Sequence, residues 1–476
     1  MEKGLLEKED TEVVEKRDNN GGFNLGIRWV VFSQEVKDVG SIAAPMVAVN
    51  WSTFFLQTIS LMMVGHLGKL AQSSTAIAMS LCSVSGFSVI FGLSCALETL
   101  CGQANGAKQY RKFGVQIHTG IFSLILSCLP LCLLWLNLGK LLVFLGQDPL
   151  IAHEAGKFAV CMIPALFGYA TLQALIRYYL MQRLITPLVT SSLFTIAFHI
   201  ALCWTLVFKS SLGRFGAAFA IGASYWLNVI LLGLYMTFSA SCAKTRVPVS
   251  LELFHGIGEF FRFAIPSLVT LLSGFLPNPE LETSILSICV QTTETIYTIP
   301  ESIGSSASTR VSNALGAGKP EVARVAAFTA MVLSASEALV VSSIIFASRH
   351  VLGYVFSNEQ DVVDYVTEVA PLLVLSVFVD SLHGTLSGIV RGSGWQHIGA
   401  YVNLGSYYGL GIPIAALLGF WLRFRAKGLW IGIMIGAFCQ TILLIIIITC
   451  TNWEKQARLV RERISKGRLS VENGLI

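Results

Sequence analysis

The sequence predicts an all-α integral membrane protein, with twelve transmembrane helices arranged as two parallel six-helix lobes around a central cleft. Three observations support this fold class. Only 13% of the 476 residues are charged, against about 25% in an average soluble domain. The hydrophobic residues, 54% of the chain, fall in runs long enough to cross a bilayer. The second half of the chain also repeats landmarks of the first half at a spacing of about 210 residues.

Twelve apolar runs follow one another along the chain, each near the length of about 20 residues that a membrane span requires. Because lipid offers the backbone no hydrogen-bond partners, each run is expected to be a helix. Alternating segments of strand length, which a membrane barrel would need, are absent from the sequence. The predicted spans lie near residues 39–63, 71–97, 113–136, 157–181, 185–208, 215–239, 260–276, 284–307, 323–347, 367–390, 398–421 and 428–450.

The spans divide the chain into two halves, two tails and a linker. We expect an N-terminal tail at 1–34, an N-lobe of six helices at 35–240, an inter-lobe linker at 241–257, a C-lobe at 258–450 and a C-terminal tail at 451–476. Basic residues concentrate in the loops and tails that share a side with the N-terminus, which predicts that both termini are cytoplasmic. The plasma membrane and the vacuolar membrane both stay open as locations.

The C-terminal tail carries an apolar stripe at helical spacing, with basic residues on its other faces. The stripe consists of Trp453, Ala457, Val460 and Ile464. Such a pattern suits an interfacial helix that lies on an anionic inner leaflet. A disordered tail is the alternative that the sequence leaves open.

The internal repeat is clearest in two stretches that each join two apolar runs. ETLCGQANGAKQYRKFG occupies residues 98–114, and STRVSNALGAGKPEVAR occupies residues 308–324. Gly106 of the first stretch falls opposite Gly316 of the second. Each repeat contains six spans, an even number, so both halves enter the membrane the same way round. The cleft between two such halves is the natural path of a substrate.

The seventh predicted span breaks this symmetry. Each half opens with a span that contains a proline, at Pro45 and at Pro266. Leu70 follows the first proline by 25 residues, whereas the matching Leu281 follows the second by only 15. Residues 260–276 would reach only about 25 Å at about 1.5 Å per residue, against a hydrocarbon core of about 30 Å. We therefore expect a short seventh helix.

Four motifs resemble plant members of the MATE family, the multidrug and toxic compound extrusion transporters. They are MVGHLG at 63–68, GFSVIFGLSCALETLCGQANGA at 86–107, IPESIGSSASTRVSNALGAG at 299–318 and RGSGWQHIGAYVNL at 391–404. The resemblance covers residues 36–450. It implies two six-helix lobes around a central cleft and the export of organic, often cationic compounds in exchange for protons or sodium. For a plant member it implies protons, so the expected function is that of a proton antiporter.

One departure from the family pattern concerns the seventh helix. In the family this helix usually carries a C-L-E-W-W-like segment soon after its proline, and the glutamate of that segment is counted among the proton- and cation-handling groups. Here AIPS at 264–267 runs almost directly into LSGFLPNPELET at 272–283. The alternative function is therefore a non-transporting or weakly coupled MATE-like variant.

Two acids within predicted spans are the candidates for proton or cation coupling. Burying a charge in the membrane costs several kcal/mol, which makes an acid in a span a functional candidate. Asp380 lies in the middle of the tenth span, and the resemblance also places a functional acid there. Apolar surroundings favour the protonated carboxyl, so Asp380 could bind a proton and release it when the cleft fills with water. Glu294 shares a face of the eighth helix with Tyr297, which suits a cation site.

Other polar residues in the spans are candidates for lining the substrate cleft. Asn50 and Gln57, seven residues apart, lie on one face of the first helix. Amides serve helix association as often as substrate binding, so both interpretations stay open. The cleft candidates are Asn50, Gln57, Gln173, Asn228, Tyr297 and Asn403. Glu301 and Glu337, the latter expected on the outside of its lobe, are further acids with a weaker claim on coupling.

Three charged residues near helix ends are expected to be structural. Glu98 should cap a helix or pair with a Lys or Arg, and Arg177 and Arg391, at equivalent positions of the two repeats, should pair with acids or stabilise helix C-termini. No HExxH or GxSxG motif occurs in the chain, so we expect no enzyme activity, cofactor or metal. The expected partners are a small organic substrate and the lipid bilayer, without nucleic acid, and the expected state is a monomer.

Overall fold

The computed structural model describes residues 25–272, 283–352, 360–422 and 425–472. Within these ranges the chain is almost entirely helical and contains no strand. This agrees with the predicted all-α class, because only helices let each apolar segment satisfy its own backbone in lipid.

Helices α1–α10 make up the first half. They are α1 (Leu25–Gly65), α2 (Lys69–Cys82), α3 (Ser88–Ser94), α4 (Ala96–Gly106), α5 (Tyr110–Leu136), α6 (Leu138–Phe144), α7 (Pro149–Cys161), α8 (Ile163–Met181), α9 (Ile185–Trp204) and α10 (Arg214–Phe238). A π-helical turn at Ser83–Phe87 joins α2 to α3, so that α2, α3 and α4 together form the second span.

Helices α11–α19 make up the second half and the C-terminal tail. They are α11 (Ile257–Leu272), α12 (Thr283–Gly316), α13 (Pro320–Ala347), α14 (Arg349–Leu352), α15 (Gln360–Ser393), α16 (Gln396–Leu404), α17 (Ile412–Ala416), α18 (Arg425–Thr449) and α19 (Trp453–Glu472). Two π-helical segments, Gly405–Gly411 and Leu417–Trp421, extend α16 and α17 into one span.

By length and composition, ten of the twelve predicted spans are recovered in the described part of the chain. Nine helices or joined helices are long and apolar enough to cross a membrane, and α7 with α8, bent by 46°, makes a tenth. The other two predicted spans correspond to α11 and α12. Helix α11 has only 16 residues up to Leu272. Helix α12 is 34 residues long, but two acids, one arginine and many serines make it less apolar.

The helix at the position of the seventh predicted span begins earlier than predicted. The expected span was 260–276, whereas α11 starts at Ile257. Residues 273–282, which include the end of that predicted span, lie outside the described residues. The described part of α11, up to Leu272, rises about 24 Å at about 1.5 Å per residue, and the short seventh helix stays a prediction.

The first helix of each half packs against the other half. One large apolar core runs from Ile42 to Leu232 and also takes in Phe260 and Phe263 of α11. Helix α11 packs on α3 of the second span, while α1 packs on α12 of the eighth span. The first helix of each half therefore contacts the other half as well as its own.

Helices α4 and α12 approach each other most closely at glycines. A Cβ atom added to Gly106 would overlap the carbonyl oxygen of Asn313, and one added to Gly316 would overlap the carbonyl oxygen of Gln103. Gly106 and Gly316 hold equivalent positions of the repeat. The repeat axis therefore passes through this contact, and the absence of side chains lets the two backbones touch. We call this end of the molecule, beside the loops at Lys108 and Lys319, the basic end.

The apolar stripe of the C-terminal tail is buried in the protein. Helix α19 does form, and Trp453, Ala457, Val460 and Ile464 are 8%, 5%, 2% and 7% exposed within the second apolar core. The expectation of a helix lying on the inner leaflet, or of a disordered tail, was therefore wrong. The helical spacing of the apolar residues was predicted correctly. The stripe packs on α12 and α13 instead of on lipid, because an apolar protein surface removes it from water just as a membrane would.

The glycine contact predicts a stability effect. Gly106→Ala should lower the free energy of unfolding by about 1–3 kcal/mol, because the added methyl group must displace the Asn313 backbone. The measurement is thermal unfolding of the purified protein in detergent. Gly233→Ala in α10 is the matched control, since no atom lies within 4 Å of a Cβ built there. A Gly106→Ala protein as stable as the Gly233→Ala control would contradict the close packing of the lobes.

Candidate functional site

Asp380 lies in the C-lobe, near two phenol groups. It sits on α15 and is half-buried, and no hydrogen bond or ion pair to it occurs among the described residues. Its charge interacts with Tyr297 of α12 and with Tyr407 of the π-helical segment that follows α16. Two phenols from other elements of the C-lobe thus interact electrostatically with a carboxyl group that has no cationic partner in the described part of the chain.

The other predicted coupling acid, Glu294, belongs to helix α12. Its side chain lies outside the described residues, so the pairing of Glu294 with Tyr297 on one helix face stays a prediction. Tyr297 itself is half-buried, and it lies against Gly384 of α15, one turn after Asp380. Through this contact Tyr297, one member of the predicted site on α12, lies beside the turn of α15 that follows Asp380.

The two amides of the first helix have different surroundings. Asn50 donates a hydrogen bond to Ser302 Oγ of α12 over 3.0 Å, and so joins the two lobes. Gln57 stays within the N-lobe, where its amide lies 3.4 Å from the Tyr225 hydroxyl and accepts a hydrogen bond from Ser83 over 3.2 Å. The spacing of seven residues predicted that both amides lie on one face of the helix. The structure shows that Asn50 bonds to the C-lobe, whereas the hydrogen bonds of Gln57 stay within the N-lobe.

The remaining cleft candidates are buried. Gln173, Asn228 and Asn403 are 5%, 8% and 1% exposed. Burial of this degree is typical of amides that join helices, the second of the two interpretations that the sequence left open.

Glu337 does not pack on the outside of its lobe as expected. Both of its carboxyl oxygens are buried, and the carboxyl faces Ser381 of α15. The Ser381 carbonyl accepts a hydrogen bond from Ser334 over 2.7 Å, which holds α13 and α15 together at this level. The prediction that Glu337 faces outward was wrong, because a single acid in an apolar span does not indicate whether its side chain points into the lobe or towards lipid.

Glu98 is fully buried between two arginines, one from each lobe. Its Oε1 lies 3.2 Å from Arg177 Nε of α8, and its Oε2 lies 3.0 Å from Arg391 Nε of α15. Glu98 is 0% and Arg177 2% exposed. Glu301 of α12 also interacts electrostatically with both arginines. The structural role expected for the three residues agrees with this geometry, but the joining of two lobes by one carboxylate was not anticipated.

A second layer of polar contacts surrounds this ion cluster. Thr99 donates to the Arg391 carbonyl and accepts from Gln396. Gln103 accepts from Arg463 of α19, whose guanidinium lies 4.9 Å from the centre of the Phe263 ring. Burial is the largest cause acting on the pKa of Arg463 and lowers it, but an arginine stays protonated at physiological pH. The C-terminal helix therefore contributes a cation to the lobe contact.

Nearer the tip of the basic end, another ion cluster ties α1 to α12. Arg310 pairs with Glu35 and, at 3.0 Å, with Asp38, and Asp38 lies 3.9 Å from Arg183 of the N-lobe. Among the described residues, the hydrogen bonds from α1 to α12 lie between Glu35 and Asn50. The lobes are thus joined along the half of α1 that is nearer the basic end.

A sequence model of the MatE family matches residues 45–205 and 257–417, once in each half of the chain. The chain belongs to the MatE family. This match agrees with the internal repeat, and it makes the protein a membrane-embedded transporter.

Relatives and solved structures agree with this assignment. The chain is 57% identical over 475 residues to Protein DETOXIFICATION 14 of Arabidopsis thaliana, with 97% of this chain and 96% of the relative covered. Protein DETOXIFICATION 13 of the same plant is 52% identical over 473 residues, with 97% and 96% covered. The crystal structure of the eukaryotic MATE transporter AtDTX14 has a TM-score of 0.87 at 58% identity, covering 91% of this chain and 100% of that chain.

A more distant structure matches in fold alone. A MOP superfamily transporter from Pyrococcus furiosus has a TM-score of 0.77 at 15% identity, covering 90% of this chain and 97% of that chain. With these matches the predicted MATE fold, an all-α membrane protein of two lobes around a central cleft, is confirmed.

The two buried acids of this MATE chain should respond differently to neutralisation. Glu98→Gln should lower the free energy of unfolding by about 3 kcal/mol or more, because two buried arginines lose their shared anion. Glu337→Gln keeps the shape of the side chain and does not take an anion away from any cation. We therefore expect it to lower the free energy of unfolding by about 1 kcal/mol or less. Thermal unfolding in detergent measures both. Equal losses in the two variants would show that the ion cluster contributes nothing specific to stability.

Proposed function

We propose that this MATE protein is an antiporter that exports small organic, often cationic compounds in exchange for protons, with Asp380 as the protonatable group. The observation that supports the proposal is the contrast between two acids in the spans. Glu98 has two arginines beside it, whereas Asp380 faces the phenols of Tyr297 and Tyr407 and has no cation beside it among the described residues. An acid without a cation can exchange a proton for a cationic substrate, whereas a paired acid cannot.

The exchange needs only one carboxyl group and access to water. A protonated Asp380 is neutral and suits the apolar interior of the C-lobe. When the cleft opens to water, the proton leaves and the phenols can donate hydrogen bonds to the carboxylate. A cationic substrate and the proton then compete for the same group, which couples their movements in opposite directions.

We also propose that the basic end faces the cytoplasm, as the distribution of Lys and Arg predicts. The polar contacts and the glycine contact between the lobes lie at that end. The conformation described above is then one in which the lobes are closed on the cytoplasmic side.

Neutralising Asp380 should remove the proton coupling. In proteoliposomes that carry the full chain, uptake of tetraphenylphosphonium by inverted transporters should increase with the size of an imposed pH gradient. Asp380→Asn keeps the shape of the side chain but cannot exchange a proton, so its transport should no longer respond to the gradient. Glu462→Gln, on the exposed face of α19, serves as control and should behave like the unmodified chain. Transport by Asp380→Asn that still follows the pH gradient would rule out the proposed role.

The short seventh helix favours a second candidate function, a MATE protein that transports with weak coupling or not at all. Helix α11 has 16 residues before the end of the described range, and the sequence lacks the glutamate segment that the family usually has there. About ten missing residues correspond to about 15 Å of helix. Hydrophobic mismatch costs only fractions of a kcal/mol per Å, so the protein can still insert in the membrane. The face of the C-lobe towards the cleft is the part that loses an acid.

Restoring the segment tests this second candidate. Inserting a family-like segment with one glutamate after Leu268 should raise the pH-driven transport rate well above that of the unmodified chain. The same insertion with glutamine in place of the glutamate separates the effect of the carboxyl group from that of helix length. If the unmodified chain already transports as fast and with the same pH dependence as the extended one, the segment is dispensable and full antiport function stands.

A further inference from the structure

The ion cluster around Glu98 contains four charged residues, two from each lobe. Glu98 and Arg177 belong to the N-lobe helices α4 and α8, and Glu301 and Arg391 belong to the C-lobe helices α12 and α15. Glu98 contacts both arginines, at 3.2 Å and 3.0 Å. Each lobe therefore brings one acid and one arginine, but a single acid holds both arginines in this conformation.

This arrangement creates a difficulty when the lobes separate. A transporter with its site between two halves works by alternating access, so the contact at this end must open. Arg391 then leaves Glu98, which stays with Arg177 in the other lobe. Removing one partner of a buried ion pair is strongly unfavourable, because the remaining charge is left uncompensated.

The packing of α12 on α15 brings Glu301 and Arg391 close enough to interact electrostatically. Gly388 lies against the Gly304 backbone and Gly392 against the Ser308 backbone, so the two helices run parallel in close contact. Arg391 follows Gly388 by one turn, and Glu301 precedes Gly304 by one turn. Because helical side chains lean towards the helix N-terminus, the guanidinium of Arg391 reaches back towards the level of Glu301.

Both groups have bonding capacity left for this contact. The Nη2 atom of Arg391 is buried and makes no hydrogen bond within the described part of the chain. Glu301 is half-buried and forms no ion pair among the described residues, and Arg391 is its main electrostatic partner. A change in the side-chain conformations of Arg391 and Glu301 would form the pair within the C-lobe.

We propose that Arg391 exchanges Glu98 for Glu301 when the lobes separate, so that each lobe leaves the contact with its own neutral acid–arginine pair. Glu301 is then a positioning residue for alternating access: it stabilises the open form of the basic end and takes no part in binding substrate. This inference rests on the transporter fold and on the ion cluster, and it does not depend on proton coupling at Asp380.

A cysteine reporter at position 312 measures the opening of this contact. Ser312 is fully buried and faces Gly102 across the lobe interface, so Ser312→Cys should react with N-ethylmaleimide only when the lobes part. The reaction is followed on the full-length protein in detergent, with mass spectrometry to quantify labelling at this position. In this background Glu301→Gln should slow labelling about tenfold, a coupling of the size usual within one ion network.

The decisive comparison is a double-mutant cycle with Arg391→Gln. That variant breaks the contact with Glu98 and should speed labelling. Once residue 391 is neutral it needs no acid, so adding Glu301→Gln should change the rate by less than about twofold. Glu301→Asp keeps the charge and should label like the reporter alone. Glu154→Gln is the matched control, since Glu154 pairs with Arg214 inside the N-lobe, and it should leave the rate unchanged.

Two results would overturn the proposal. The first is an unchanged labelling rate in Glu301→Gln, and the second is the same slowing whether residue 391 is arginine or glutamine, which would mark Glu301 as merely structural. Gel filtration of every variant reports folding, and Glu301→Ala provides a second neutral variant for the same cycle. Labelling needs neither substrate nor a pH gradient. This test can therefore still be carried out if the antiport proposal fails, and the antiport proposal can stand if this test fails.

Discussion

A buried charge needs a partner of opposite sign, and the contact between the two lobes depends on how this need is met. Glu98 is inaccessible to solvent and lies between Arg177 of its own lobe and Arg391 of the other. Neither arginine could be buried without it, because an uncompensated charge in a medium of low polarity is strongly destabilising. One carboxylate thus fixes the register of α4, α8 and α15 at the basic end.

The repeat axis explains why the close contact can form around this charge. Gly106 and Gly316, equivalent in the two halves, each lie against the backbone of the other half. Symmetry brings equivalent residues together at the axis, so only positions without side chains allow the helices to touch there. Beside the axis the symmetry is broken: Glu98 has Ser308 as its repeat equivalent, and this difference leaves one acid to hold two equivalent arginines.

The acids of the spans differ in their surroundings, and this difference separates their roles. Asp380 lies near phenols, Glu337 near a serine, and Glu98 between guanidinium groups. The sequence separated Glu98, near a helix end, from the two acids within spans, but it did not indicate what any of the three contacts. Asp380 lies near two phenols and has no cation beside it among the described residues, and we therefore propose that coupling occurs there. Helix α11 lies at the same lobe contact, packed on α3, so it bears on how the lobes move as well as on the cleft.

The sequence by itself determined the fold class, the repeat and the positions of most spans. A bilayer requires an apolar run of a certain length for each span, and such a run can be read from consecutive residues. It also predicted a short seventh helix and, in the C-terminal tail, an apolar stripe at helical spacing. Tertiary structure alone decided that this stripe packs on α12 and α13, that Glu337 faces inward, and that Asn50 joins the lobes while Gln57 does not. Glu98 and Arg391 are 293 residues apart in the chain. No periodicity links residues at such a distance, because their pairing depends on how two separately folded lobes meet.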